Sequence, residues 1–89
     1  LPTMADLGKI ASAIYKGNPS VGAYEGVSNL TYEPGTATSL GLPEPGIYLW
    51  SGEEYSKRSA YYRYFDPTGT GYYNSGRSTS GIQAICLVD

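Results

Sequence analysis

The sequence predicts an α+β domain with one N-terminal amphipathic helix, a loop-rich middle and an antiparallel sheet. Three observations predict it. Apolar residues recur at helical spacing between Thr3 and Lys16. From Gly46 onward, short apolar and aromatic runs alternate with Gly, Pro, Ser and Asn turns. The chain has 89 residues, which suits a single domain with a helix-and-loop part (1–45) and a strand part (46–89).

The helix is the clearest element. Thr3 is placed to cap it, and Asp6, three residues on, is placed as the acid of a capping box. Leu7, Ile10, Ala11, Ile14 and Tyr15 share one face and point to the core. Asp6 near the start and Lys16 near the end suit the helix dipole, and Gly17-Asn18-Pro19 ends the helix. Residues 17–46 then hold six glycines and four prolines, so loops are expected, with one or two helical turns at 36–42. The two Glu-Pro-Gly tripeptides, 33–35 and 44–46, read as turns. They look like the Glu-Pro-Asn loop of calcium-dependent lectins, but Gly stands where that loop has a ligand-bearing Asn, and calcium needs six or more oxygens.

Strands are expected at Ile47–Trp50, from Ala60 to Phe65 before the Asp66-Pro67 turn, and around Gly71-Tyr72-Tyr73. Residues 82–88 are apolar on both faces around Ala84, Ile85, Cys86 and Leu87, as in a buried central strand. On that reading Cys86 is a small buried apolar residue, or else its disulfide partner lies outside this sequence.

Composition removes several function classes. There is no histidine and one cysteine, so a Ser-His-Asp triad, a Cys-His pair and a thiolate or imidazole zinc site are absent within one chain. Glu53 and Glu54 are adjacent, so on a strand they point to opposite faces and cannot act as a facing acid/base pair. The expectation is a chain without catalytic residues, metal or cofactor. With a net charge of −2 and six basic residues in no recognised motif, no nucleic-acid partner is expected. No apolar run is long enough for a membrane helix. The chain opens Leu1-Pro2-Thr3, without a starting Met, and is read as an excerpt whose export signal or anchor lies upstream.

The aromatic content carries the functional signal. There are ten tyrosines against one Phe and one Trp. Six of the tyrosines, Tyr55, Tyr61, Tyr62, Tyr64, Tyr72 and Tyr73, fall between Ser51 and Ser80 among Ser, Gly, Thr and Asn. Antibody binding loops use the same mixture, because Tyr gives large amphipathic area with few torsions to freeze while Ser, Gly and Asn adapt their hydrogen bonds. Strand alternation sorts the residues: Phe65 belongs in the core, so Tyr61 and Arg63 share its face, while Tyr62, Tyr64 and Asp66 are displayed. An inward Arg63 calls for a carboxylate, with Glu53 or Glu54 as the expected partner. Tyr55, Ser56, Lys57 and Thr68, with the run Tyr72, Tyr73, Asn74, Ser75 and Arg77, lie on flanking segments expected to converge with the displayed residues. The plainer alternative is that these tyrosines cover a sheet that lacks a second layer.

Three stretches resemble a known family. The opening Leu1-Pro2-Thr3-Met4-Ala5-Asp6-Leu7 resembles the Leu-Pro-Thr-x-x-Glu-Leu/Trp helix start of C-type-lectin-like domains of the formylglycine-generating-enzyme type, with Asp6 in place of Glu. Leu49-Trp50-Ser51-Gly52-Glu53-Glu54 resembles the Trp-Ser-Ser/Gly-x-Glu strand of bacterial surface domains of this class, and Gln83-Ala84-Ile85-Cys86-Leu87 their closing strand. The resemblance implies a C-type-lectin-like fold in which a strand precedes the helix and pairs with the last one, so this chain would lack the family's first strand. Enzymes of this type use two cysteines as copper ligands, and one is present here. A narrower likeness is to the variable proteins of diversity-generating retroelements and to the C-terminal domains of pilin-like surface proteins. It implies an extracellular or cell-surface module whose segment 55–80 binds a protein or carbohydrate ligand. The alternative is a filament subunit that packs, as a homo-oligomer, through its tyrosines.

Overall fold

The computed structural model describes residues 1–87. It is a small α+β domain: a four-stranded antiparallel sheet with helices on one face. Helix α1 spans Met4–Ile14 and begins as the sequence dictates. The Thr3 hydroxyl accepts from the Asp6 N–H, and the Asp6 carboxylate accepts from the Thr3 N–H, each at 3.0 Å. The helix ends earlier than the spacing predicts. Tyr15 is extended (φ −101°, ψ 147°) and bridges to Tyr32, so Lys16 lies outside the helix and no basic residue occupies its last turn. The buried Tyr15 explains the break. Its hydroxyl lies 2.6 Å from the Asp66 carbonyl oxygen and 2.7 Å from that of Gly69, tying the end of α1 to a hairpin over fifty residues away.

Strand β1 is the two residues Val27–Ser28, and α2 is a single turn, Thr36–Ser39. Strands β2 (Ile47–Ser56), β3 (Ser59–Asp66) and β4 (Gly69–Gly76) form a meander, and the sheet order is β1-β4-β3-β2. All three meander strands are longer than the sequence pattern marks, and β1 has no sequence signal beyond one Val. The β3–β4 register is unbroken from Ser59↔Gly76 to Asp66↔Gly69, whereas β2 shifts register between Trp50 and Ser56.

The core lies between α1 and the inner sheet face. Met4, Leu7, Ala11 and Ile14 pack with Tyr15, Ala37, Leu42, Leu49 and Phe65, all buried, with Ile10 partly buried at the rim. Gly8 lets the loop approach α1: a Cβ there would lie 2.5 Å from the Val21 carbonyl oxygen.

Residues 82–87 do not form the expected central strand. Gln83 alone pairs, in parallel, with Leu49 on the side of β2 away from β3. Ala84, Cys86 and Leu87 are exposed, and Ile85 is the residue that turns toward the core. An apolar stretch at the chain's end is thus spent on an edge and a partly open cleft rather than on a sheet centre. The Cys86 thiol is exposed, not buried. The last predicted position of that strand, Val88, lies outside the described residues.

Candidate functional site

Cross-strand register decides which side chains meet. Directly opposed residues share a face, so Tyr62↔Tyr73, Trp50↔Tyr62 and Tyr48↔Tyr64 put five aromatic residues on the outer face of the sheet. None of Tyr48, Trp50, Tyr62, Tyr64 and Tyr73 belongs to the hydrophobic core. Tyr73 is 66% exposed and Tyr48 44%, while Trp50, Tyr62 and Tyr64 are half-buried among one another. Tyr62 is the centre, 5.8 Å from the Tyr48 ring and 6.1 Å from the Trp50 ring, centroid to centroid. Tyr48 also meets Tyr64 edge-on at 6.3 Å. The Tyr64 ring lies over Gly71, where any Cβ would collide with it. Burial among its neighbours pushes the Tyr62 phenol above its ordinary pKa, so it stays a neutral donor and acceptor. A cleft of about 240 Å³ adjoins this face, between Leu1, Trp50, Ser51, Gly52, Ala60 and Arg77.

The predicted site residues therefore divide. Tyr62, Tyr64 and Tyr73 share the outer face, and Asp66 and Ser75 lie on it at opposite ends. Tyr72 and Asn74 do not join them: they oppose Arg63 and Tyr61 on the inner face. A two-residue turn, with Asp66 paired to Gly69, fixes the alternation and sends them there. Tyr55, Ser56 and Lys57 sit at the β2–β3 hairpin, near Arg77, whose guanidinium lies 3.6 Å from the Glu54 carboxylate. Thr68 is in the β3–β4 turn at the far end. The expected single convergence is thus two surfaces and two ends.

The second aromatic group is on the inner side, beside the start of α1. Tyr24, from the loop, meets Tyr61 at 5.1 Å and Tyr72 at 5.6 Å, both edge-to-face, and Tyr55 meets Tyr61 at 5.4 Å. The Tyr24 hydroxyl donates a short hydrogen bond to the Glu53 carboxylate, which pushes its pKa up to about 12. The other Glu53 oxygen accepts from the Met4 N–H at 2.7 Å, at the start of α1. Glu53 is therefore a strut between β2, α1 and the loop.

Arg63 is fully buried, but not against a carboxylate. Its Nη2 donates to the carbonyls of Gly22 (2.9 Å), Ala23 (3.1 Å) and Glu25 (2.9 Å), and Nη1 donates to Thr70 Oγ1 at 3.1 Å. Neither expected partner reaches it, because Glu53 serves the helix and Glu54 faces Arg77. Desolvation lowers the Arg63 pKa, opposed by the nearby Glu25 charge.

Sequence reasoning passed over Tyr48, Trp50 and Tyr24. The first two were legible: once Leu49 is inward, alternation sends its neighbours outward. No local signal brings Tyr24 to Glu53 across 29 residues of chain. Among the described residues no helix is long and apolar enough to cross a membrane, and no three His, Cys, Asp or Glu side chains gather around a metal position. Comparison with protein-family models, curated proteins and solved structures returns no match for this chain.

Proposed function

We propose that this chain is a ligand-binding module that presents the outer aromatic face of its sheet to a partner at a cell surface. The observation that carries the reading is that face itself: five aromatic rings on β2, β3 and β4, none of them in the core. Aromatic residues are enriched at protein interfaces because they bury much area at little entropic cost. Phenol hydroxyls add donors and acceptors suited to a protein or carbohydrate ligand. The fold reading that goes with this function is a C-type-lectin-like domain, and the origin proposed for the surface is diversification by a retroelement. The exposure of Tyr55, Ser56, Lys57, Tyr73 and Arg77 supports tolerance of substitution there.

The test is a panel of immobilised saccharides and bacterial surface proteins, probed with the wild-type chain and with Tyr62→Ala/Tyr73→Ala. Binding to a panel member that falls at least about tenfold in the double variant is expected, the loss of two interface anchors. Binding unchanged by the double variant would overturn the reading. Sequencing the DNA around the gene tests diversification separately. A near-copy of codons 51–89 differing at adenines, beside a reverse transcriptase, is expected. The second reading, a filament subunit packing through the same rings, rests on the 66% exposure of Tyr73. It predicts assembly without any added ligand.

A further inference from the structure

The sheet has two edges, and they are treated differently. The β2 edge is occupied: Gln83 donates to the Tyr48 carbonyl and accepts from the Trp50 N–H, each at 2.8 Å. Further along, Gly52 N–H donates to the Pro2 carbonyl at 2.8 Å. Register shifts and Glu53 and Glu54 disrupt the rest of that strand. The β4 edge has none of this. Strand β1 pairs only with Thr70 and Gly69. Because the Asp66–Gly69 turn fixes the alternation, the backbone N–H and C=O of Tyr72 and Asn74 point away from β3. Among the described residues nothing bonds to them. From Gly69 to Gly76 the strand has no charge, no proline and no register shift.

We propose that a second copy of this chain pairs antiparallel with the free edge of β4, about a two-fold axis at Asn74. An open row of backbone donors and acceptors selects an extended strand as its occupant. The length and composition of the row select this chain. The open groups are the N–H and C=O of Tyr72 and Asn74 and the N–H of Gly76, because Val27 occupies Thr70 and the Gly76 carbonyl accepts from the Thr79 N–H at 3.0 Å, leaving it one lone pair for a further strand. Centred on residues 72–76, Asn74 meets Asn74 of the copy and Tyr72 meets its Gly76. Each outward-pointing residue thus finds another, and no like charges are opposed. Tyr73 would lie across from Ser75 of the copy on the outer face, and the two aromatic faces would join into one. This inference uses the edge and stands independently of what the face binds.

The experiment is sedimentation of the full chain from micromolar to millimolar concentration, with amide hydrogen exchange read residue by residue. Reversible dimerisation is expected, with exchange at Tyr72 and Asn74 slowing at least about tenfold across the series. Asn74→Lys and Asn74→Glu each place like charges across the axis and should abolish the dimer. An equimolar mixture of the two should restore it. Circular dichroism verifies that both variants fold. A monomer at millimolar concentration, or a dimer untouched by both variants, would overturn the proposal. So would an uncharged extended peptide of unrelated sequence that binds to a chain that does not self-associate, since the edge would then accept strands other than its own copy.

Discussion

Arg63 shows how one side chain organises a loop that has little else to hold it. The segment 20–26 contains no regular structure, yet three of its carbonyls converge on one guanidinium nitrogen. A planar fork of fixed donors suits such a cluster, and a lysine ammonium does not reproduce it. Replacing Arg63 by Met leaves the carbonyls of Gly22, Ala23 and Glu25, which are part-buried, without that donor. The expected cost is about 1–3 kcal/mol, from part-buried acceptors left unmet. Domains of this length hold about 5–12 kcal/mol in all, so the loss is severe. Urea denaturation of Arg63→Met and Arg63→Lys measures it, and both should fall well below wild type. A midpoint unchanged in Arg63→Met would show that the carbonyls find water instead. Tyr24 rides on this loop, so Arg63 also sets the inner aromatic group from a distance.

At the level of elements, α1 depends on its first turn, where three interactions meet: the Thr3 hydroxyl, the Asp6 carboxylate and the Glu53 carboxylate. Thr3→Ala should cost about 1 kcal/mol by removing the cap. Asp6 adds a pH dependence of definite sign. Hydrogen bonds from the Thr3 backbone and side chain hold its pKa below the ordinary 3.8. The folded-state pKa is lowered, so the stabilisation is present above the unfolded value and lost as pH falls through the folded one. The stability gap between wild type and Asp6→Asn should therefore shrink between about pH 6 and pH 2, as followed by thermal melts. This element was the most legible in the sequence, because capping and helical period are local. The strands β3 and β4 were legible for the same reason, through the Asp66-Pro67 turn and the alternation around Phe65. What local pattern could not supply was pairing at a distance. The apolar stretch at 82–87 looks like a central strand, but only contacts with Leu49 and the core decide that it lies at an edge. Likewise Tyr72 and Tyr73 look alike in sequence; alternation sends them to opposite faces, and the register decides that Tyr73 is the outer one.

For the whole molecule, the sheet separates a face that packs against the core from one that does not. One face is spent on the core with α1, and the other carries rings that contact mainly one another. If that division holds, stability should be insensitive to the outer face and sensitive to the inner one, on the same strand. Strand β2 offers the comparison, because Tyr48 and Leu49 are neighbours in sequence and opposite in direction. Leu49 is fully buried, and Leu49→Ala should cost about 2–5 kcal/mol through lost burial and the cavity left behind. Tyr48→Ser removes a ring that is already 44% exposed and lies on Tyr62 and Tyr64 rather than on the core. Its cost should be about 1 kcal/mol or less, the scale of strand preference and one aromatic contact. Tyr73→Ser should behave as Tyr48→Ser does, and the double variant should be close to additive, since no ring contact joins the two. Chemical denaturation of the three single variants and the double variant decides the matter. Equal losses at Tyr48 and Leu49 would mean that the outer rings help hold the fold together. A surface under that constraint could not be rewritten freely, so the same result would count against a diversified binding face. Small losses outside and a large one inside would leave a scaffold whose outer residues are free to change partner without changing fold.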